Sequence, residues 1–484
     1  MISGGGYSVY VDSSSSLDNI AIAGRNTAQF IGDVYAPNTP VTITGNSVYT
    51  LGANFSVSGF NNGGIFATTP GSVYTISGNG SSTAYTQPTE GIYRVGVNGT
   101  TSGSYGTLLI SGDASFAGGS GIDVRLSGVS AGVGVGSVIG GIFSATGVIS
   151  SAGASNFTVT DNSVLLDFIA NNTGNQIDVT ATGSTACYGV ISSDTTGPCL
   201  VGFDSPSLQV NSGISISGGS AGIQVLAGYS DGAGTSGYGI NNQGAVIGNV
   251  YGIQMLSGAT LTGGITNSGI ISGNQYGIHL NSAMLTGGII NNPGASIVGA
   301  TAAINLYGAT LTGGINNSGW IQSGPIPSES KGVIEIKHSR LDGGILNTGT
   351  IYSGTDMNAW GNSGYLYSGQ GVLISRSTIT GGIGNAGLIQ SDSYNGMLLV
   401  GSSVAGSINN SGTILGWTAG IAIYQSSVSG GIINSGWIQG RGQNPGSQLY
   451  GIQVSGSQIA GGINNSGTIV GAGKVGIQAQ NSRI

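Results

Sequence analysis

The chain has 484 residues, of which 95 are glycine, 39% are hydrophobic and only 6% are charged, with a formal net charge of -7. An ordinary soluble domain has about 7% glycine and about 25% charged residues, so the usual charged-surface enzyme is excluded, and the hydrophobic share excludes disorder. Ten prolines and no three-residue glycine frame exclude collagen, and ten Lys+Arg over the whole length leave no footprint for a phosphate backbone, so no nucleic-acid partner is expected.

In chain order, residues 1–108 contain short β-type runs such as PVTITGNSVYTL from Pro40 and GSVYTISG from Gly71, which read as irregular or decorated coils of a β-helix. The first ten residues, MISGGGYSVY, lack the basic and apolar regions of a signal peptide. Residues 109–205 form a second β-helix module. The uncharged stretch GVGVGSVIGGIFSATGVIS is long enough to span a bilayer, but its glycines and alternating Val and Ile predict strands. FTVTDNSVLLDFIANNTGNQIDVTATG, from Phe157, reads as strand, turn, strand. Cys187 and Cys199 close this module, twelve positions apart. They read as a disulfide, which implies an oxidising, extracytoplasmic setting; two buried free thiols are the alternative.

Residues 206–484 are a repeat array truncated before any C-terminal barrel. GGI-x-N-x-G-x-I recurs from Gly263, Gly287, Gly313, Gly343, Gly381, Gly406, Gly430 and Gly461, with steps of 24, 26, 30, 38, 25, 24 and 31 residues. Between these motifs stands G-I-x-Φ, as in GIHLNSAML from Gly277 and GIAIYQSSV from Gly420. Three short runs of period-two alternation per repeat, with no 3.6-residue pattern, predict an all-β fold: a parallel β-helix of about 24 residues and three short strands per coil. Ile315 and Ile321 are expected to point inward. With coils about 4.8 Å apart, Asn267, Asn317, Asn347, Asn385, Asn410, Asn434 and Asn465 are expected to hydrogen-bond along the axis as a ladder. Glycine suits corners with positive φ or close backbone approach.

The GGI-x-NSG-x-I array, with FTVTDNSVLLDF followed by GNQIDVTATG, resembles the passenger region of Gram-negative autotransporters (type V secretion). That resemblance implies a right-handed helix, export through the inner membrane, passage through a C-terminal β-barrel that this sequence does not contain, and display on the cell surface or release. A membrane link is therefore expected only through that barrel. The end at Ile484, within a repeat, is expected of a piece of a longer protein.

Chemistry has few carriers, with two histidines in the chain, and no catalytic, cofactor or metal residues are expected. Gly232–Gly237 matches G-x-G-x-x-G, a match that composition alone explains. His279 reads as one member of an exposed polar row. Lys331, Lys337, His338, Arg340 and Arg376 form the one basic cluster, interleaved with Glu329, Glu335 and Asp342. It reads as self-neutralising ion pairs or as a contact patch for anionic glycan. The longest repeat carries Trp360, Tyr365 and Tyr367 as candidate contacts in a projecting segment, and Trp320 and Trp437 fall at outward positions. The expectation is a non-enzymatic adhesin or self-association stalk whose partner is a host or bacterial surface glycan or protein, or another copy. A polysaccharide-acting β-helix enzyme and a filament subunit are the alternatives.

Overall fold

A computed structural model describes the chain except residues 1, 24–26, 29, 81–82, 128–132, 152–156, 185–186, 203–206, 227–235, 238, 325–330, 355–368, 443–448 and 473–474. Every regular element among the described residues is a strand, and no helix is long and apolar enough to cross a membrane. The chain folds as two compact units, Met1–Thr185 and Ala186–Ile484, where strand-like runs, the cysteine pair and the repeats suggest divisions at 108 and 205.

In Met1–Thr185, one long strand shows how the coil is made. Phe55–Thr68 pairs on one side with Phe30–Thr50 and on the other with three separate strands, Val73–Gly78, Thr83–Gln87 and Ile92–Val97, all parallel. A single chain segment thus turns two corners and presents three faces. Register shifts at Ala36/Pro40 and Thr44/Val48 mark corners in the neighbouring strand. The interior holds rings: Tyr49 stacks on Phe66, Phe60 contacts Phe66 at 4.8 Å, and Phe143 contacts both Tyr85 and Phe116 at 5.0 Å. The segment read as strand, turn, strand forms Leu166–Asn172 and Gln176–Gly183, an antiparallel hairpin whose second strand also pairs antiparallel with Val138–Ala145. The uncharged stretch lies partly in Val138–Ala145 and contributes Ile139, Ile142 and Phe143 to the core.

Ala186–Ile484 is a parallel β-helix with three in-register sheets of eleven strands each. One coil shows the plan. Ile315–Asn317 belongs to an asparagine sheet, Trp320–Ser323 to a flanking sheet and Gly332–Lys337 to a broad sheet. A fourth, short sheet of nine strands, represented by Arg340–Asp342, runs beside the three expected ladders. Its strands are two or three residues long, too short to show alternation in the sequence.

The interior is built from columns of like side chains. Ile289, Ile315 and Ile345 are aligned in the asparagine sheet, and Ile297, Ile321 and Ile351 in the flanking sheet, all buried. Burying one such side chain contributes about 1.5–3 kcal/mol, and each coil meets its apolar counterparts only in the coils above and below. Glycine after the ladder asparagine has a steric reason. A Cβ on Gly349 would stand 2.2 Å from the carbonyl oxygen of Gly319, and one on Gly387 2.0 Å from that of Gly349.

Eight hydrogen bonds of 2.7–2.8 Å run Nδ2 to Oδ1 through nine asparagines. They include Asn242 and Asn291 besides Asn267, Asn317, Asn347, Asn385, Asn410, Asn434 and Asn465. Each Nδ2 from Asn242 to Asn434 also donates to a backbone carbonyl of the next coil, as Asn317 does to Thr350 at 3.2 Å. The amides are buried except at Asn465, which is exposed.

A second ladder turns the corner between the broad and short sheets. Ser339, Ser377, Ser402, Ser426 and Ser457 are buried. Ser339 Oγ accepts the backbone N–H of Ala309, each later serine accepts that of the serine before it in the series, and Ser457 donates its own to Ser482, at 3.0–3.2 Å. His338, Arg376, Gln425 and Asn481 precede these serines with φ of 48–51°. A non-glycine residue there is strained by about 1–2 kcal/mol, and the serine bonds hold the turn in place.

Candidate functional site

The outward row of the broad sheet carries the chemistry of the second unit. In successive coils it reads Gln224, Gln254, His279, Asn305, Glu335, Leu373, Leu398, Ala422, Gln453 and Gln478. Its first half holds two hydrogen-bonded runs, Gln224 Nε2 to Gln254 Oε1 and a second from His279 through Asn305 to Glu335. Asn305 Nδ2 donates to Glu335 Oε2 at 2.7 Å, which turns its Oδ1 toward His279. His279 Nδ1 therefore carries the hydrogen on that 2.9 Å bond. The imidazole stacks on Tyr276 at 4.8 Å and Tyr251 at 5.1 Å. Burial holds its pKa below the usual 6.5, against the opposing effects of Asn305 and Glu335.

His279 is half-buried rather than exposed, and the row becomes more enclosed along its length, ending in Glu335 at 0% exposure. Lys337 and Lys331 supply its counter-charge. The row then changes character. Leu373, Leu398, Ala419, Ala422 and Tyr450 cluster, with Val400 and Tyr424 packed against them. Beside the cluster lies a cavity of about 610 Å3, also lined by Lys337, Gln370, Tyr394, Asn395, Thr418 and Gln453.

Three long connections lead from the flanking sheet to the broad sheet, while another, of ten residues between Val225 and Ser236, leaves the broad sheet for the short one. Strand ends at Ser323, Ser353 and Gly440 lead to broad strands starting at Gly332, Gln370 and Tyr450, across eight, sixteen and nine residues. Equivalent links in other coils are as short as two residues, as from Gly273 to Tyr276. At the corner between the flanking and broad sheets Asp392 accepts hydrogen bonds from Tyr352 Oη (2.5 Å) and Gln390 (2.8 Å) and pairs with Arg441. Trp320 packs near Tyr352 with ring centroids 6.2 Å apart. Trp360, Tyr365 and Tyr367 belong to the longest of these connections and lie outside the described residues.

The basic cluster is divided by the fold. Lys337 lies on the broad sheet, pairs with Glu335 and lines the cavity. Arg340, on the short sheet, pairs with Asp342 at 2.8 Å. Thr380 and Arg340 hydrogen bonds hold the Asp342 carboxyl below the usual range. His338 and Arg376 occupy the same left-handed corner slot in successive coils, and His338 meets the ring of Tyr307. Arg376 has no ion-pair partner among the described residues and lines a shallow polar groove of the serine corner with Arg483. Trp320 and Trp437 are 43% and 42% exposed, and each indole N–H is held by the glutamine two residues on.

Cys187 and Cys199 form a disulfide in the first coil of the second unit, with Cα atoms 4.5 Å apart. No group of three or more His, Cys, Asp or Glu among the described residues is placed to hold a metal ion. The cavity escaped sequence reasoning, yet its signal was present: the x of G-I-x-Φ changes from Gln, His, Asn and Glu to Leu in GVLIS and GMLLV and to Ala in GIAIY. Comparison with protein-family models, curated proteins and solved structures finds no match to this chain.

Proposed function

We propose that this chain is a non-catalytic adhesion module, the passenger part of a cell-surface or secreted autotransporter, which binds a surface glycan or protein through one side of its β-helix. The observation that carries this reading is that three long connections enter the broad sheet, at Gly332, Gln370 and Tyr450, and that the outer side of the same sheet holds the cavity. In a repeat scaffold the coils hold one another, and departures from the repeat concentrate where a partner is met. Support for an extracytoplasmic setting comes from the Cys187–Cys199 disulfide.

The test is display of the chain on a non-adherent bacterium and measurement of binding to epithelial cells and glycan-coated surfaces. Deleting residues 355–368, or replacing Trp360→Ala, is expected to lower adhesion while leaving the circular dichroism spectrum unchanged. Undiminished adhesion by both variants would remove this connection from the binding function. Lateral association of purified chains with no affinity for cells would favour the filament reading instead.

A further inference from the structure

We infer that the broad-sheet cavity is a subsite for a neutral sugar ring, so that the adhesin reading, on which this rests, becomes recognition of an uncharged glycan. Three kinds of surface meet there. Leu373 and Leu398 are consecutive in the outward row and supply an apolar surface. Tyr394, Tyr424 and Tyr450 add aromatic walls, the surface on which the C–H face of a pyranose stacks. Of the three amides at the lining, Gln370 Oε1 accepts the Asn395 backbone N–H and Gln453 is held by Tyr424 and Gln478, so Asn395 is the one placed to meet a sugar hydroxyl, which like an amide both donates and accepts.

Asn395 decides the chemistry. Its side chain is buried to 8% exposure, its Oδ1 accepts from Thr418 at 2.7 Å, and its Nδ2 has no partner among the described residues. Whichever way the amide is turned, one hydrogen-bonding atom is left for a ligand. An alkyl chain would bury that atom unsatisfied, which opposes binding of a lipid. Anions are not favoured, because Lys337, the one cation lining the cavity, is already neutralised by Glu335. An uncharged ring with one apolar face and polar edges satisfies all three surfaces, and about 610 Å3 is within the usual range for small-molecule sites.

The experiment is calorimetric titration of the full chain with cellotriose, maltotriose and tri-N-acetylchitotriose, with lauric acid, heparin hexasaccharide and an extended octapeptide as rival probes. Binding of at least one neutral trisaccharide is expected, weakened by about tenfold or more in Tyr450→Ala and Asn395→Ala. Val400→Trp, which fills the cavity from a half-buried position, is expected to abolish it, with Trp437→Ala as an unaffected surface control. All variants are compared by circular dichroism, and Asn395→Gln, which keeps an amide, is expected to retain more affinity than Asn395→Ala. The proposal is overturned if no neutral trisaccharide binds, if Val400→Trp binds as tightly as the parent, or if a rival probe alone binds. Should displayed chains still adhere to cells in that event, the adhesin reading stands without this subsite; loss of both defeats the two together.

Discussion

Met1–Thr185 and Ala186–Ile484 both wind parallel strands into coils, but they fill them differently. The first packs a continuous chain of rings in which Phe143 reaches Tyr85, Tyr93 and Phe116. The second uses aliphatic columns and contains no aromatic residue in its main core cluster. Large rings reach several neighbours and tolerate strands of 21, 14 and 6 residues side by side. Columns of isoleucine work only when every coil arrives in phase, and the asparagine ladder has the same requirement. Buried amides differ accordingly. Asn62 in the first unit is held by unlike partners, Tyr85, Gln87 and the carbonyl of Ile92, whereas Asn317 is held by its own kind on both sides. Regularity is thus a product of the filling, and two fillings give one fold with different tolerance to change.

The contrast can be broken at its strongest point by Phe143→Ala, expected to cost the first unit about 3–5 kcal/mol through the cavity left among the rings. A urea midpoint that does not move would show that the rings do not form a cooperative core. Next, reduction of Cys187–Cys199 closes off a stabilisation of about 3 kcal/mol, by loop entropy, from the second unit alone. A reductant is expected to lower that unit's transition and leave the cysteine-free first unit unchanged, as differential scanning calorimetry would resolve.

Asn317→Ala leaves Asn291 Nδ2 short of an acceptor and removes the donor to Asn347, at a cost of roughly 1–3 kcal/mol. In a double-mutant cycle by urea denaturation, Asn317→Ala is expected to couple with Asn347→Ala and to be additive with Asn62→Ala. Additivity within the ladder would reduce it to independent bonds.

The two units also differ in their response to pH. Burial, aided by the charges of Asp167 and Asp123, pushes the Asp161 carboxyl up to about 7. Its folded form holds a proton that the unfolded chain releases near 4, so the first unit loses stability as pH rises from about 4 through about 7. His279 is shifted the other way: its folded pKa lies below 6.5, so the second unit loses stability as pH falls below that value. Urea midpoints at pH 5 and 8 are expected to move in opposite directions for the two units. Asp161→Asn and His279→Gln should each flatten one of the two slopes, and slopes of one sign would refute the assignment.

The architecture of the second unit was readable because Gly, Ile and Asn recur at fixed offsets, and each has one physical task in a stacked coil. Asn291 was harder to see, since NNPG follows its isoleucine where other repeats have an NSG-like turn. The serine corner was spelled out in GVLISRSTI and GIQVSGSQI, but a two-residue offset after a strand has no periodicity to expose it. The hairpin itself was legible, but the antiparallel pairing of Gln176–Gly183 with Val138–Ala145 joins segments distant in sequence, which alternation does not specify. The candidate site was the least legible part. Its floor lies on the outer side of the sheet, where sequence patterns give only polarity, and its walls come from Tyr394, Tyr424 and Tyr450 in different coils.

The asparagine ladder also separates two lengths that are usually tied together. Neighbouring rungs are 24 residues apart at Asn267–Asn291 and 38 apart at Asn347–Asn385, yet the bonds are 2.8 and 2.7 Å. Chain content can therefore be added at the corner without altering the axial step. A lineage carrying this scaffold is free to rewrite its corner loops by insertion, because the rung above never registers how far the chain has travelled.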